Sequence, residues 1–98
     1  MIIVFAKVAV KEGKKDELLA LAKPLMAATR KEEGCVSYTL FDERYDPHSL
    51  MFVEEWQSKD ALKKHMTTPH IIEWREKQRE FLAGPTQIKL YEGQETSL

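Results

Sequence analysis

The sequence predicts an α+β domain in the order β-α-β-β-α-β, and three observations carry that expectation. Stretches rich in β-branched and aromatic residues recur at 2–10, 35–42, 50–56 and 86–92. Apolar residues at helical spacing fill the two long gaps, 14–31 and 58–82. Only about seven residues, punctuated by Asp46-Pro47, separate the middle two strands, which therefore pair as an antiparallel hairpin. This is the ferredoxin-like pattern: a four-stranded antiparallel sheet with both crossover helices on one face.

Each element has its own warrant. In the first strand Ile2, Val4, Ala6, Val8 and Val10 share one face, with Ile3, Phe5 and Ala9 on the other. Gly13 breaks it. The first helix carries Leu18, Leu21 or Ala22, Leu25 and Thr29 on one stripe, and Pro24 inside it is expected to kink the helix or split it after Ala22. Gly34 is expected as its C′ residue. The second strand places Val36, Tyr38 and Leu40 on one face and Cys35, Ser37, Thr39 and Phe41 on the other. The third sets Phe52, Glu54 and Trp56 against Met51, Val53 and Glu55. Ser58 caps a short helix to Met66, and Thr68-Pro69 starts another as N-cap and N1. Ile71, Trp74, Gln78 and Phe81 line that helix until Ala83-Gly84-Pro85 stops it. The last strand has Ile88 and Leu90 on one face and Tyr91 on the other, and 93–98 reads as a polar tail.

Ninety-eight residues make one domain, 1–98, with a modest core. Helices can cover one face of the sheet only, yet Ile3, Phe5, Met51 and Val53 present apolar surface on the other. The economical solution is a homodimer packed sheet face to sheet face. Fifteen basic and 16 acidic residues give a net charge of −1, with no basic stripe for nucleic acid and no polybasic face for a membrane. The apolar run Met1–Ala6 is too short to span a bilayer, and Lys7 follows it where a signal peptide would place its charge first. A single cysteine, Cys35, forms no internal disulfide, which suits a reducing cytoplasm.

The stretch 54–70 concentrates the chemistry. Glu54 and Trp56 point the same way from the third strand, and Leu62, His65 and Met66 fall on one face of the next helix. His65 therefore sits at the buried side, as a core histidine or as a general base. Trp56 reads as core or as a pocket wall, with Phe52 and Met66 beside it. Glu54 is costly to bury alone. It would orient His65, bond a substrate hydroxyl, or form an ion pair with Lys63, Lys64 or Arg75. Tyr38 would donate a hydrogen bond to a substrate oxygen or sit at a rim. His70 is at N2 of its helix, a helix-start residue with a possible place in the pocket. Cys35 reads as a small packing residue. His65 and His70 are five apart, which is poor metal spacing, His48 is in a loop, and no zinc site is expected.

Glu33-Gly34-Cys35 followed by Tyr38, the run Val53-Glu54-Glu55-Trp56-Gln57-Ser58, the run from Leu62 through His65 to Thr68-Pro69-His70, and Gly84-Pro85 before the last strand resemble the antibiotic biosynthesis monooxygenase domain. The branches most resembled are the quinol monooxygenases and the autoinducer phospho-isomerases. The resemblance implies a dimeric α+β barrel and chemistry without metal or flavin on a small quinol-like, phenolic or dicarbonyl molecule. It implies a base in an apolar pocket, for which His65 is the choice, with Trp56, Phe52 and Tyr38 shaping the cavity. Haem-degrading relatives use an Asn on the first strand and a His on the last helix. This chain has Ala6 and Arg75 there and no Asn at all, so haem degradation is not expected. The alternatives are isomerisation of a phosphorylated dicarbonyl, with Arg75, Lys63 or Lys23 holding phosphate, and a ligand-binding dimer without turnover.

Overall fold

Strict alternation in the first strand sets the two sides of the sheet. In the computed structural model, which describes all residues from Met1 to Leu98, β1 (Ile2–Ala9) buries Ile2, Val4, Ala6 and Val8 and leaves Phe5 and Lys7 exposed. It is followed by α1 (Lys15–Thr29), β2 (Cys35–Asp42), β3 (Ser49–Trp56), α2 (Lys59–His65), α3 (Pro69–Lys77) with a 3₁₀ turn (Gln78–Phe81), and β4 (Gln87–Glu92). The strands form one antiparallel sheet in the order β2-β3-β1-β4, the expected ferredoxin-like topology. No helix is long and apolar enough to cross a membrane.

The helices lie on one face. Leu18, Ala22, Leu25 and Thr29 of α1 and Ile71 and Trp74 of α3 are buried against Val4, Val8, Leu40, Leu50, Phe52 and their neighbours. Ser58 and Thr68 accept hydrogen bonds from the N–H groups of Ala61 and Ile71, capping α2 and α3 as their residue types dictate. On the opposite face Ile3, Met51 and Val53 are half-buried, while Phe5 and Tyr91 are exposed and meet edge to face at 5.9 Å. Ile88 and Leu90 of β4 turn to the helix side, yet both are about half exposed, because β4 is an edge strand.

Three local expectations are corrected. Pro24 does not split the first helix, since α1 runs unbroken through it. Pro24 and Ala20, whose carbonyl loses its partner, are both on the exposed side, where the lost bond costs least. Val36 does not share the face of Tyr38. A bulge between Cys35 and Ser37 sets Cys35 opposite Trp56 and Ser37 opposite Glu55, and the extra residue, Val36, is left 51% exposed. Gly34 is not the C′ residue of α1, which ends at Thr29. Gly34 belongs to the next turn, closed by the Cys35 N–H donating to the Glu32 carbonyl at 3.2 Å, and its φ of 87° requires glycine. A Cβ there would stand 2.5 Å from that of Ala61, so the turn also lies hard against α2.

Candidate active site

The end of β3, the end of α2 and the start of α3 meet over the sheet and enclose a cavity of about 120 Å³. Ala6, Val8, Phe52, Ile71 and Trp74 supply its apolar wall, and Met66, Arg75, Gln78, Thr86 and Ile88 surround its mouth. Tyr38, Glu54 and His65 supply its polar groups. All three are buried, at 2%, 6% and 2% exposure. Register explains two of them: Tyr38 and Glu54 are directly paired across β2 and β3 on the inner face. His65 arrives from the last turn of α2 and packs against Trp56 and Tyr38, with ring centroids 4.7 and 5.4 Å away.

The hydrogen bonds give Glu54 and His65 each a held end and a free end. Trp56 donates its indole N–H to Glu54 Oε1 at 2.9 Å. His65 Nδ1 is 2.8 Å from Glu32 Oε2, and a carboxylate only accepts, so His65 carries its proton on Nδ1 and presents the Nε2 lone pair. Thr29 Oγ1 is the only sealed side-chain polar atom without a partner. Glu54 Oε2, Tyr38 Oη and His65 Nε2, which have no partner within the chain, therefore reach open space at the cavity that these residues line.

Burial tunes these groups. It raises the Glu54 carboxyl to about 7, with the Glu32 charge adding to the rise and the Trp56 hydrogen bond opposing it. It pushes the Tyr38 phenol far above its ordinary range, helped by the charges of Glu54 and Glu32, so Tyr38 is a permanent donor. It lowers His65 below the ordinary imidazole value, although the hydrogen bond and charge of Glu32 pull the other way. Near neutrality the cavity thus holds a neutral imidazole, a phenol and a carboxyl poised between its two forms.

Most of the residues singled out from the sequence converge, but three arrangements differ. Trp56 is fully buried and lies behind Glu54 and His65, holding them from the back instead of forming the cavity wall. Glu54 neither orients His65 nor pairs with Lys63, Lys64 or Arg75: its neighbour two residues along the strand offers an N–H closer than any cation. His70 does not line the cavity. It lies along a groove between α1 and α3, its Nε2 2.6 Å from Glu32 Oε2. Glu32 is the residue that local spacing fails to single out. Its partners are 33 and 38 positions away, and only the turn through Gly34 brings its carboxylate between them.

Glu32 Oε2, His65 Nδ1 and His70 Nε2 lie within 4.8 Å of one another. The two contacts to the carboxylate, 2.8 and 2.6 Å, are hydrogen-bond separations. Ligands about 2.05 Å from a tetrahedral metal stand roughly 3.3 Å apart, so the cluster as built is a hydrogen-bonded trio.

Comparison with known proteins agrees with the fold. Residues 1–77 match the family model described as antibiotic biosynthesis monooxygenase. A Synechocystis protein, sll1783, described as uncharacterised, is 37% identical over 95 residues, covering 97% of this chain and 65% of its own length. The chain thus spans just under two thirds of that relative. "Putative monooxygenase YcnE" of Bacillus subtilis is 32% identical over 88 residues, 90% of this chain and 93% of that protein. The crystal structure of a conserved protein from Methanosarcina mazei Go1 superposes with a TM-score of 0.89 at 35% identity, covering 95% of this chain and 92% of that one. The fold and the matched segments define a ferredoxin-like α+β protein with a polar-lined cavity between sheet and helices. The chain belongs to the antibiotic biosynthesis monooxygenase family.

Proposed function

We propose that this protein is a monooxygenase that needs no cofactor and acts on a small quinol-like or phenolic molecule, with His65 as general base. The observation that carries the reading is the buried, neutral His65. Its Nδ1 proton is fixed by Glu32 and its Nε2 opens into an apolar cavity beside two further polar groups. A relative that bears a monooxygenase name supports it. The cavity, about 120 Å³, is near the roughly 150 Å³ that accommodates one benzene ring, which suits a single-ring substrate.

In this mechanism His65 Nε2 takes a proton from the substrate hydroxyl. The Tyr38 phenol and the protonated Glu54 donate to the resulting oxyanion, and the apolar wall excludes water that would otherwise quench it. The electron-rich ring carbon then bonds directly to dioxygen and gives a hydroperoxide. Loss of water leaves a hydroxylated quinone: one oxygen atom stays on the ring, and the other departs with two hydrogens of the quinol. The test is oxygen uptake at an electrode by metal-stripped protein with a panel of quinols, wild type against His65→Ala. Uptake that survives chelation and requires His65 is expected. Turnover unaffected by His65→Ala would remove the base, and no uptake with any quinol would remove the oxygenase reading in favour of an isomerase or a binding protein.

One observation favours a second reading. Arg75 stands at the cavity mouth, 3.2 Å from the Met66 carbonyl through Nη2, where it would hold a phosphate. Isomerisation of a phosphorylated dicarbonyl needs that cation and the same base. We further propose that two copies pack through the outer sheet face around Phe5 and Tyr91, and that the protein works in the cytoplasm.

A further inference from the structure

The Glu32 carboxylate is held inside the protein without a permanent cation. Its side chain is 12% exposed, and no Lys or Arg forms an ion pair with it. A buried charge is costly unless it is paired or coordinates a metal. Its only partners are His65 Nδ1 at 2.8 Å and His70 Nε2 at 2.6 Å, and the three atoms lie within 4.8 Å of one another. Two imidazoles and a carboxylate make a zinc donor set, with a fourth position left for water. We propose that Glu32, His65 and His70 form a Zn²⁺ site whose occupation switches His65 off as a base.

Five residues separate the two histidines, which is poor metal spacing within one helix. They belong to two helices, however: His65 ends α2, Thr68 caps α3, and His70 lies in the first turn of α3. That break, and no helical period, aims both rings at one carboxylate oxygen. As built the contacts are hydrogen bonds, and the ligands of a tetrahedral zinc stand roughly 3.3 Å apart, so each contact opens by about half an ångström on loading. Glu32 allows this by rotating a long side chain carried on a turn. The His70 side chain is 23% exposed and lines the groove between α1 and α3, which gives the metal its way in. The effect on His65 is a change of tautomer. A carboxylate only accepts, so each ring keeps a hydrogen on the nitrogen that faces Glu32. Zinc replaces both hydrogens, and a neutral ring then carries its proton on the other nitrogen. For His65 that nitrogen is Nε2, which opens to the cavity. The ring keeps one proton in all, but it offers the substrate a donor and has no lone pair left to accept with.

The site stands on its geometry, whereas the switch rests on His65 as the base, and binding is therefore measured apart from turnover. Metal-stripped protein is titrated with Zn²⁺ against a chromogenic chelator, and with Co²⁺ for the visible absorption of a four-coordinate ion. One equivalent per chain is expected. His70→Ala, which alters the least buried of the three ligands, and Glu32→Gln are each expected to weaken binding by about 100-fold, at least as much as the loss of an outer-shell partner. His48→Ala and Cys35→Ser serve as controls and should bind as the wild type does. Imidazole NMR of the labelled protein should show the His65 proton moving from Nδ1 to Nε2 as zinc is added. Where a quinol is turned over, saturating zinc should lower oxygen uptake by about 100-fold, the weight of a general base, and a chelator should restore it. The uptake that remains in His70→Ala should no longer respond to zinc. No stoichiometric binding, binding that survives both His70→Ala and Glu32→Gln, or binding lost in Cys35→Ser alone would overturn the site. An unchanged His65 tautomer, or full uptake by the zinc-loaded protein, would overturn the switch. Stoichiometric zinc on these three residues in a protein that consumes no oxygen would retain the site and remove the oxygenase.

Discussion

Glu54 and His65 shift in opposite directions for one reason: each is driven towards its neutral form by burial. Two pH effects follow. A folded-state value of about 7 against an ordinary 4.5 means that Glu54 binds its proton more tightly when folded. Its penalty is absent below about 4.5, grows as pH rises towards 7 and is then constant, at most about 3 kcal/mol. Glu54→Gln keeps an acceptor for Trp56, so its denaturant midpoint is expected to exceed that of the wild type at pH 8 and to match it at pH 4. His65 acts on the acid side: its stabilisation is present above the unfolded value of 6.5 and is lost as pH falls through its lower folded value. Oxygen uptake should accordingly be bell-shaped, with an acid limb below 6.5 from His65 and an alkaline limb near 7 from Glu54, and Glu54→Gln should lose the alkaline limb alone. Thr29 supplies a control, because its side chain does not line the cavity. Its hydroxyl is fully buried with no partner, so Thr29→Val should stabilise the fold by about 1 kcal/mol in urea melts and leave uptake unchanged.

The turn between α1 and β2 is the element that makes the site, because it carries Glu32 and fits only with glycine at position 34. Gly34→Ala forces a side chain into the left-handed region and against Ala61 Cβ at 2.5 Å. A loss of about 3 kcal/mol is expected in denaturant melts, with kcat falling in the surviving folded protein as Glu32 shifts from His65. The end of α2 is equally constrained, since Ser58 and Thr68 cap α2 and α3 and so fix where His65 and His70 leave the backbone. Pro24 has the opposite character. Its defect faces solvent in the middle of α1, so Pro24→Ala should restore one hydrogen bond and raise stability without touching the cavity.

Across the whole molecule, the apolar residues split between a covered inner face and an open outer one. Phe5 and Tyr91 stay exposed as an edge-to-face pair, with Ile3, Met51 and Val53 half-buried around them. Such a patch favours association of copies through the sheet. Light scattering at low micromolar concentration should give about 23 kDa, twice the 11.4 kDa chain, and Phe5→Asp should give the single-chain mass. A wild-type monomer would refute the arrangement.

The sequence by itself determined the elements, their order and the two faces of the sheet, because these depend on short-range periodicity and on caps and breakers within a few residues of each other. Alternation in Ile2–Val8 marked the core side of the sheet, helical spacing in Leu18–Thr29 marked the face that covers it, and Ser58 and Thr68-Pro69 marked where helices begin. His65, Glu54, Tyr38, Phe52 and Met66 stood out as candidates because a buried titratable group beside aromatic residues is costly unless it is used or paired. Only the tertiary structure decided which polar atom meets which. Trp56 took the carboxylate for which His65, a substrate hydroxyl and a nearby cation were all candidate partners, the bulge at Val36 broke an alternation that nothing local announces, and Glu32 reached two imidazoles more than 30 residues away. Hydrogen-bond partnership is settled by distances of a few tenths of an ångström between segments remote in the chain, and periodicity carries no information at that range.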